Sequence, residues 1–319
     1  MKQIRRLMVV ALVLALPLFL SHCSQKQGTV RGIKPKEAAA LSTAYDPLDN
    51  RRTPRPDRQE IPLDRLEAIG ELSLQNRDYE SSLLNFLQIL KEQPENYNLR
   101  YKVGVIFYLT GQWEAARREL AGVLVKRPEM LAAHEALGLV HLQEKQYSQA
   151  LEEFRIVLGQ DPKRARTRYL LGVTHLAAGQ PREAISALEA AAGLDPRYPA
   201  TFAALGQAYL DLKDYQRALT WLKKGQSLAP QHQKINYQLG MALAGLKRYP
   251  EALQAFLQGG DEAQAYNNIG VHYFMEGRYE EAAKCFQRAL ELRPTFYPDA
   301  KANLHRALER LQESQKDAG

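Results

Sequence analysis

Nucleophiles and metal ligands are sparse in this chain of 319 residues, which holds two cysteines and seven histidines. It has no Gly-rich phosphate loop, HExxH, CxxC or GxSxG, so phosphoryl transfer and zinc- or serine-dependent hydrolysis have no motif to rest on. His134 and His141 stand seven apart on one helical pattern, and His175 follows in a matching place further along. A metal ion needs a third ligand beside such a pair and none is placed nearby, so packing in a core or groove is the simpler use of these rings. These residues predict no enzyme, no cofactor and no metal site.

Cys23 has a different setting. The first 22 residues combine a basic start (Lys2, Arg5, Arg6), the apolar run LMVVALVLALPLFL from Leu7 to Leu20, and small or polar residues before the cysteine. Fourteen apolar residues reach about 21 Å as a helix, short of the roughly 30 Å hydrocarbon core, and Pro17 weakens that helix further. The run is the core of a signal peptide and not a span. LSHC resembles a bacterial lipobox, with Leu20 three before Cys23 and His22 where that pattern has Gly, Ala or Ser. The resemblance implies that Cys23 is acylated and becomes N-terminal after cleavage; otherwise it is a chance cysteine beside a secretory signal or an uncleaved anchor. Ser24, in place of Asp, implies sorting to the outer membrane by the same analogy. An acylated Cys23 leaves Cys285 without a disulfide partner in the chain.

The formal charge of +7 does not lead to nucleic acid. Three positive charges belong to the leader, and residues 24–62 hold eight Lys or Arg against five Asp or Glu, so the remaining body is near +1 with no basic stripe for phosphate. The segment SQKQGTVRGIKPKEAAALSTAYDPLDNRRTPRPDRQEIP has no sustained apolar period and reads as a flexible tether, one helical turn around Ala38–Ala40 aside. It has a root-mean-square reach of roughly 35 Å. Its basic residues lie against anionic headgroups or simply keep the spacer solvated.

Beyond the tether the chain repeats. Prolines fall at 94, 128, 162, 196 and 230, and glycines at 70, 104, 138, 172, 206 and 240, both with a step of 34. A fixed period of this size is the signature of a solenoid of helix pairs. Residues 97–130, YNLRYKVGVIFYLTGQWEAARRELAGVLVKRPEM, show two apolar helical patterns around TGQ and a proline after the second. They resemble the tetratricopeptide repeat, with bulky residues at positions 4, 7, 11, 17 and 24, a small one at 8, Ala at 20 and Pro at 32. The resemblance implies an all-α, right-handed α-solenoid of about seven units: 63–96, 97–130, 131–164, 165–198, 199–232, a shortened 233–262, and 263–296. Residues 297–319 then form a capping helix and tail, after a leader over 1–22 and a lipidated tether over 23–62.

The repetition has a physical reason. Gly70, Gly104, Gly138, Gly172, Gly206, Gly240 and Gly270 all lie inside the first helix, A, where glycine costs about 1 kcal/mol against alanine. Close approach of the second helix, B, explains a cost met seven times. Position 20 is Ser82, then Ala116, Ala150, Ala184, Ala218, Ala252 and Ala282; position 24 is Phe or Leu throughout; position 17 is aromatic except Pro181, its rings placed to wedge between A and B. Gly270 follows Gly240 by only 30 residues, so about one turn is missing from the end of helix B in unit six, where Gly259 and Gly260 end it early. That deletion is harmless or shapes one end of a groove.

In the resembled family the concave face is lined by helix-A positions 2, 5, 9, 12 and 13. They hold here Tyr101, Tyr108, Leu142, Tyr169, Val173, Leu176, Leu210, Tyr237, Met241, Asn267 and Phe274. Position 5 reads Glu67, Tyr101, Glu135, Tyr169, Ala203, Tyr237 and Asn267, which is not the Lys and Asn carboxylate clamp of the chaperone-binding members. A tyrosine-studded groove suits an amphipathic helix or an extended protein segment, unless these rings only pack on the neighbouring helix A.

Lipobox, tether, repeats and the late interruption before AYNNIGVHYFMEGRYEEAAKCFQRALELRP together resemble lipoproteins of the tight-adherence (Tad/Flp) pilus system and, more loosely, type IV pilotins. The resemblance implies a scaffold at the outer membrane facing the periplasm, with a secretin or other pilus or secretion component as partner. An adaptor that recruits peptidoglycan hydrolases or proteases is the other reading. Cys23→Ser is expected to abolish incorporation of labelled palmitate and to release the protein from the membrane fraction; labelling retained in the variant would place the lipid elsewhere.

Overall fold

The computed structural model describes residues 61–293 and 297–317. Cys23, the leader and the tether up to residue 60 lie outside the described residues. Fifteen α-helices and no strand occur among the described residues. They come as A and B pairs: α1 (Leu63–Gln75) with α2 (Tyr79–Glu92), α3 (Tyr97–Leu109) with α4 (Trp113–Lys126), α5 (Leu131–Gln143) with α6 (Tyr147–Gln160), and α7 (Ala165–Ala177) with α8 (Pro181–Leu194). Then follow α9 (Pro199–Asp211) with α10 (Tyr215–Leu228), α11 (Gln233–Gly245) with α12 (Tyr249–Gln258), α13 (Glu262–Met275) with α14 (Tyr279–Leu292), and a final α15 (Pro298–Asp317). The chain divides into two compact units, one ending at Val157 and the other beginning at Leu158, within α6. Each is an all-α stack of helical hairpins.

A and B helices differ in how they bury apolar surface. α5 is buried almost all round, from Ala133 through Leu139 and Val140 to Leu142, whereas α6 buries one stripe, Ala150, Leu151, Phe154 and Val157. A helix apolar on all sides must be enclosed, and one with a single stripe lies outside it. In the second unit α9 and α10 repeat the contrast, with eight buried positions against four.

Each hairpin is turned by three residues, and the middle one, position 15, is left-handed in every unit: Arg77, Lys145, Lys213 and Lys247 (φ 59–63°) and Gly111, Gly179 and Gly277 (φ 76–77°). The left-handed residue closes a Schellman cap: Arg77 N–H donates to Leu74 O (3.1 Å) and Asp78 N–H to Ser73 O (2.8 Å), and the same pair of bonds recurs at the other six turns. Left-handed backbone at Lys and Arg costs about 1 kcal/mol, within reach of the two hydrogen bonds it completes.

The close approach of A and B is made by the large residue at position 24. A Cβ on Gly70 would lie 2.4 Å from the Phe86 ring, on Gly138 2.6 Å from Phe154, on Gly206 2.3 Å from Leu222, and on Gly270 2.6 Å from Phe286. Gly104, Gly172 and Gly240 meet Leu120, Leu188 and Phe256 in the same way. These side chains are the most deeply buried of helix B, Phe86, Phe154, Leu188 and Leu222 all at 0 % exposure. At position 20, Ser82 adds a buried hydrogen bond from its hydroxyl to Gly70 O (2.8 Å).

In the second unit α12 stops at Gln258, four residues shorter than α14. A Cβ on Gly259 would lie 2.8 Å from Tyr237 N and 3.1 Å from Gln233 O, so the chain leaves α12 pressed backbone to backbone on α11. Gly260 (φ 148°) makes the turn, and the Asp261 carboxylate caps α13 by accepting from Gln264 N–H (2.8 Å). At the end of that unit α15 packs Ala307 and Leu304 against Ala282, Ala283 and Phe286 of α14.

Gly172→Leu is expected to overpack Leu188 and lower the unfolding midpoint by the equivalent of about 1–3 kcal/mol. Gly122→Ala in α4, where an added Cβ meets nothing within 4 Å, is expected to raise stability by up to about 1 kcal/mol. Equal effects in urea titrations would show that the two glycines are retained for a common reason other than packing.

Candidate functional site

Helix A presents positions 2, 5, 9 and 12 at intervals of three and four residues, one stripe along the helix. In the first unit the apolar part of this stripe is covered. Tyr101, Tyr108 and Leu142 are buried, and Gln143 Nε2 donates to the Tyr108 hydroxyl (3.4 Å). Lys102 is paired with Glu71 and lies 3.6 Å from Glu67, so the acidic side chains of α1 are partly neutralised there.

In the second unit the stripe is mixed. Tyr169 and Val173 are buried; the Tyr169 ring stands edge-on to Tyr198 (5.2 Å, 85°), and burial pushes its phenol far above the usual range. Asn267 is buried and accepts a hydrogen bond from Asn303 Nδ2 of α15 (3.0 Å). Leu176, Leu210, Tyr237, Met241 and Phe274 are half-exposed. Tyr237 packs on Phe256 (5.5 Å) and its phenol is pushed up by burial; Phe274 rests edge-on to Tyr279 (5.4 Å). The stripe in this unit therefore offers apolar surface to a ligand at α11 and α13 more than at α7.

The histidines serve the scaffold. His141 Nδ1 meets Gln146 Oε1 (2.6 Å) and His175 Nδ1 meets Gln180 Oε1 (2.7 Å), each fastening helix A to the residue before helix B. His134 lies between Glu153 Oε2 (2.6 Å) and Pro128 O (3.0 Å). Among the described residues no group of three or more His, Cys, Asp or Glu is placed to hold a metal ion. Cys285 is half-buried in α14, and burial pushes its thiol up to about 11, which keeps it protonated and unreactive.

Two sets of residues depart from the simple repeat pattern. Position 4 is not only bulky: Arg100 Nε, His134 Nε2, Arg168 Nε and Asn236 Nδ2 each lie 2.8–3.0 Å from the carbonyl of the loop proline six residues earlier, Pro94, Pro128, Pro162 and Pro230. A polar residue six after the proline was the signal for this tie in four repeats; Pro196 is followed by Phe202 instead. The position-17 rings do not all wedge within their own hairpin. Tyr215 lies on Gly245 of the next helix A, where a Cβ would come within 2.5 Å of the ring, Tyr249 packs on Tyr273 of the next helix A (4.4 Å), and Trp113 is 40 % exposed.

Tetratricopeptide-repeat family profiles match residues 68–121, 110–165, 169–232 and 263–296. The chain belongs to the tetratricopeptide-repeat family. The array's fold recurs in solved structures. The C-terminal part of a tetratricopeptide-repeat protein from Cytophaga hutchinsonii is 19 % identical, with 74 % of this chain and 98 % of that one covered, at a TM-score of 0.59. PilF of Pseudomonas aeruginosa is 22 % identical over 66 % of this chain and 97 % of its own, at 0.52. MamA of Desulfovibrio magneticus RS-1 is 25 % identical over 53 % and 95 %, at 0.50. No curated protein matches the sequence significantly. Tetratricopeptide arrays generally act as non-catalytic protein-interaction scaffolds.

Asn236 is fully buried, bonds to Pro230 O and Gln258 O, and accepts from Gln226 Nε2 (2.8 Å). Asn236→Leu is expected to cost about 1–3 kcal/mol by leaving those groups unpaired, while the same loss at the less buried Arg100 (Arg100→Met) costs less. Chemical denaturation of the two variants checks the order.

Proposed function

We propose that this protein is a non-enzymatic scaffold of the bacterial envelope, anchored through Cys23 at the outer membrane and facing the periplasm. It seats a segment of a partner protein on its helix-A stripe and assists assembly or localisation of a pilus or secretion complex, in the manner of a pilotin. The observation that carries the binding part is the half-exposed series Leu176, Leu210, Tyr237, Met241 and Phe274 on consecutive A helices of the second unit. These side chains keep part of their apolar surface uncovered, whereas Tyr101, Tyr108 and Leu142 at matching positions are buried. Tyrosine and methionine suit recognition, one as a rigid anchor and the other as an adaptable surface. The membrane part is supported by Leu20 to Cys23 and by the basic, proline-interrupted tether. The likeness to PilF extends to the fold and leaves the partner to experiment.

A photo-crosslinking residue at Met241, which is half-exposed, is expected to trap a secretin or another pilus or secretion component in cells. Trapping a peptidoglycan hydrolase or a protease instead would make the protein an enzyme-recruiting adaptor.

A further inference from the structure

Helix B meets its own helix A through positions 20 and 24, so positions 22, 25 and 29 lie on the side turned away from that contact. At 22 and 25, α6, α8, α10 and α14 carry polar or charged side chains, as at Glu152 and Arg155 of α6; α12 has one apolar residue there, the half-buried Leu257. The first two B helices differ. In α2 both positions are leucines, Leu84 at 41 % and Leu87 at 39 % exposure; in α4 position 25 is Ala121 and position 29 is Val125, 78 % exposed. Both helices pack on α3, and Gly122, where an added Cβ would meet nothing within 4 Å, keeps the outer surface of α4 low. Single exposed leucines are ordinary, whereas an apolar set at positions that are polar in most other B helices calls for a cover.

The chain itself carries a segment of matching character. Ala38, Leu41, Tyr45 and Leu48 recur at intervals of three, four and three residues, one apolar stripe on a helix. Pro35 suits the first position of such a helix and Pro47 ends it at Asp46. A helix of about twelve residues is marginal by itself in water and needs a surface to lie on. Charge agrees with this pairing. Residues 61–96 hold seven Asp or Glu against three Lys or Arg, and residues 24–60 hold eight Lys or Arg against five Asp or Glu.

We propose that residues 35–48 of the chain dock as a short amphipathic helix on the outer face of α2 and α4, with Leu41, Tyr45 and Leu48 laid against Leu84, Leu87 and Val125. The connection allows it. Residues 47–60 span up to about 46 Å when extended, against about 21 Å for the length of α2. α1 and α2 are antiparallel, so the C-terminal end of α2 lies by Leu63, where the chain enters the array. A segment running parallel to α2 therefore finishes beside the start of α1. Its own start, with Lys34 and Lys36, then falls near Glu80 and Glu114, which are exposed in the first turns of α2 and α4, Glu114 being 4.0 Å from Arg117. Docking leaves only residues 24–34 as a free spacer, and its root-mean-square reach falls from roughly 35 Å to roughly 20 Å. An anchor at Cys23 would then hold the first unit close to the membrane.

The test uses the full-length protein in lipid nanodiscs. Amide hydrogen exchange over residues 36–46 is expected to be at least about tenfold slower than in a free peptide of that sequence. Leu84→Gln combined with Leu87→Gln is expected to return it to the peptide's rate while exchange in α3 and α5 stays as it was, which separates loss of docking from unfolding. A photo-crosslinking residue at Val125 is expected to join the chain to its own residues 36–48. Exchange at the peptide's rate in the unaltered protein, or slow exchange that survives the double substitution, would overturn the inference. So would a crosslink from Val125 to lipid, to a second copy or to another protein in place of residues 36–48. These readouts depend neither on acylation of Cys23 nor on what is trapped at Met241, so the docking and the scaffold reading stand or fall separately.

Discussion

A glycine in the middle of a helix costs about 1 kcal/mol, and burying a Leu or Phe side chain returns about 1.5–3 kcal/mol. That inequality is what each hairpin of this protein rests on. At Gly70, Gly138, Gly206 and Gly270 the ring or branched end of the position-24 side chain occupies the space that a Cβ would need. The B helix can then lie close to its A helix, with Ala or Ser at position 20 on the facing side. Remove the glycine and the large side chain must move out of a fully buried site.

Because B covers one side of A, the neighbouring hairpins must cover the rest, and they do so unequally. In the first unit the aromatic and aliphatic side chains of the A stripe, Tyr101, Tyr108 and Leu142, are buried, and Lys102 pairs with Glu71 beside them. In the second unit, where one B helix ends early at Gln258, Tyr237, Met241 and Phe274 stay partly open. The turn at Gly259 and Gly260 is held by backbone contact with α11 and by Asn236, which ties α10, the Pro230 loop and α12 together.

Helix, turn and pairing were legible in the sequence because they depend on local order. The step of 34 between glycines and between prolines, and the alternation of small with large residues, specify an A helix, a turn, a B helix and the fold class. The turn at TGQ was visible too, although the left-handed backbone at its middle residue is carried in other units by Arg77, Lys145, Lys213 and Lys247, which no composition rule marks. The absence of catalytic motifs was equally a property of the sequence.

What only the tertiary structure decided are contacts between successive hairpins. Tyr169 and Tyr237 occupy the same repeat position, yet Tyr169 is buried against Tyr198 and Tyr237 is half-exposed on Phe256. Tyr215 and Tyr249 reach the following helix A, and Arg100, His134, Arg168 and Asn236 reach back to loop carbonyls. Periodicity determines which face a residue occupies, since that follows from 3.6 residues per turn along one helix. Whether that face is covered depends on the side chains a neighbouring hairpin brings to it, and those are set by a different repeat of the sequence.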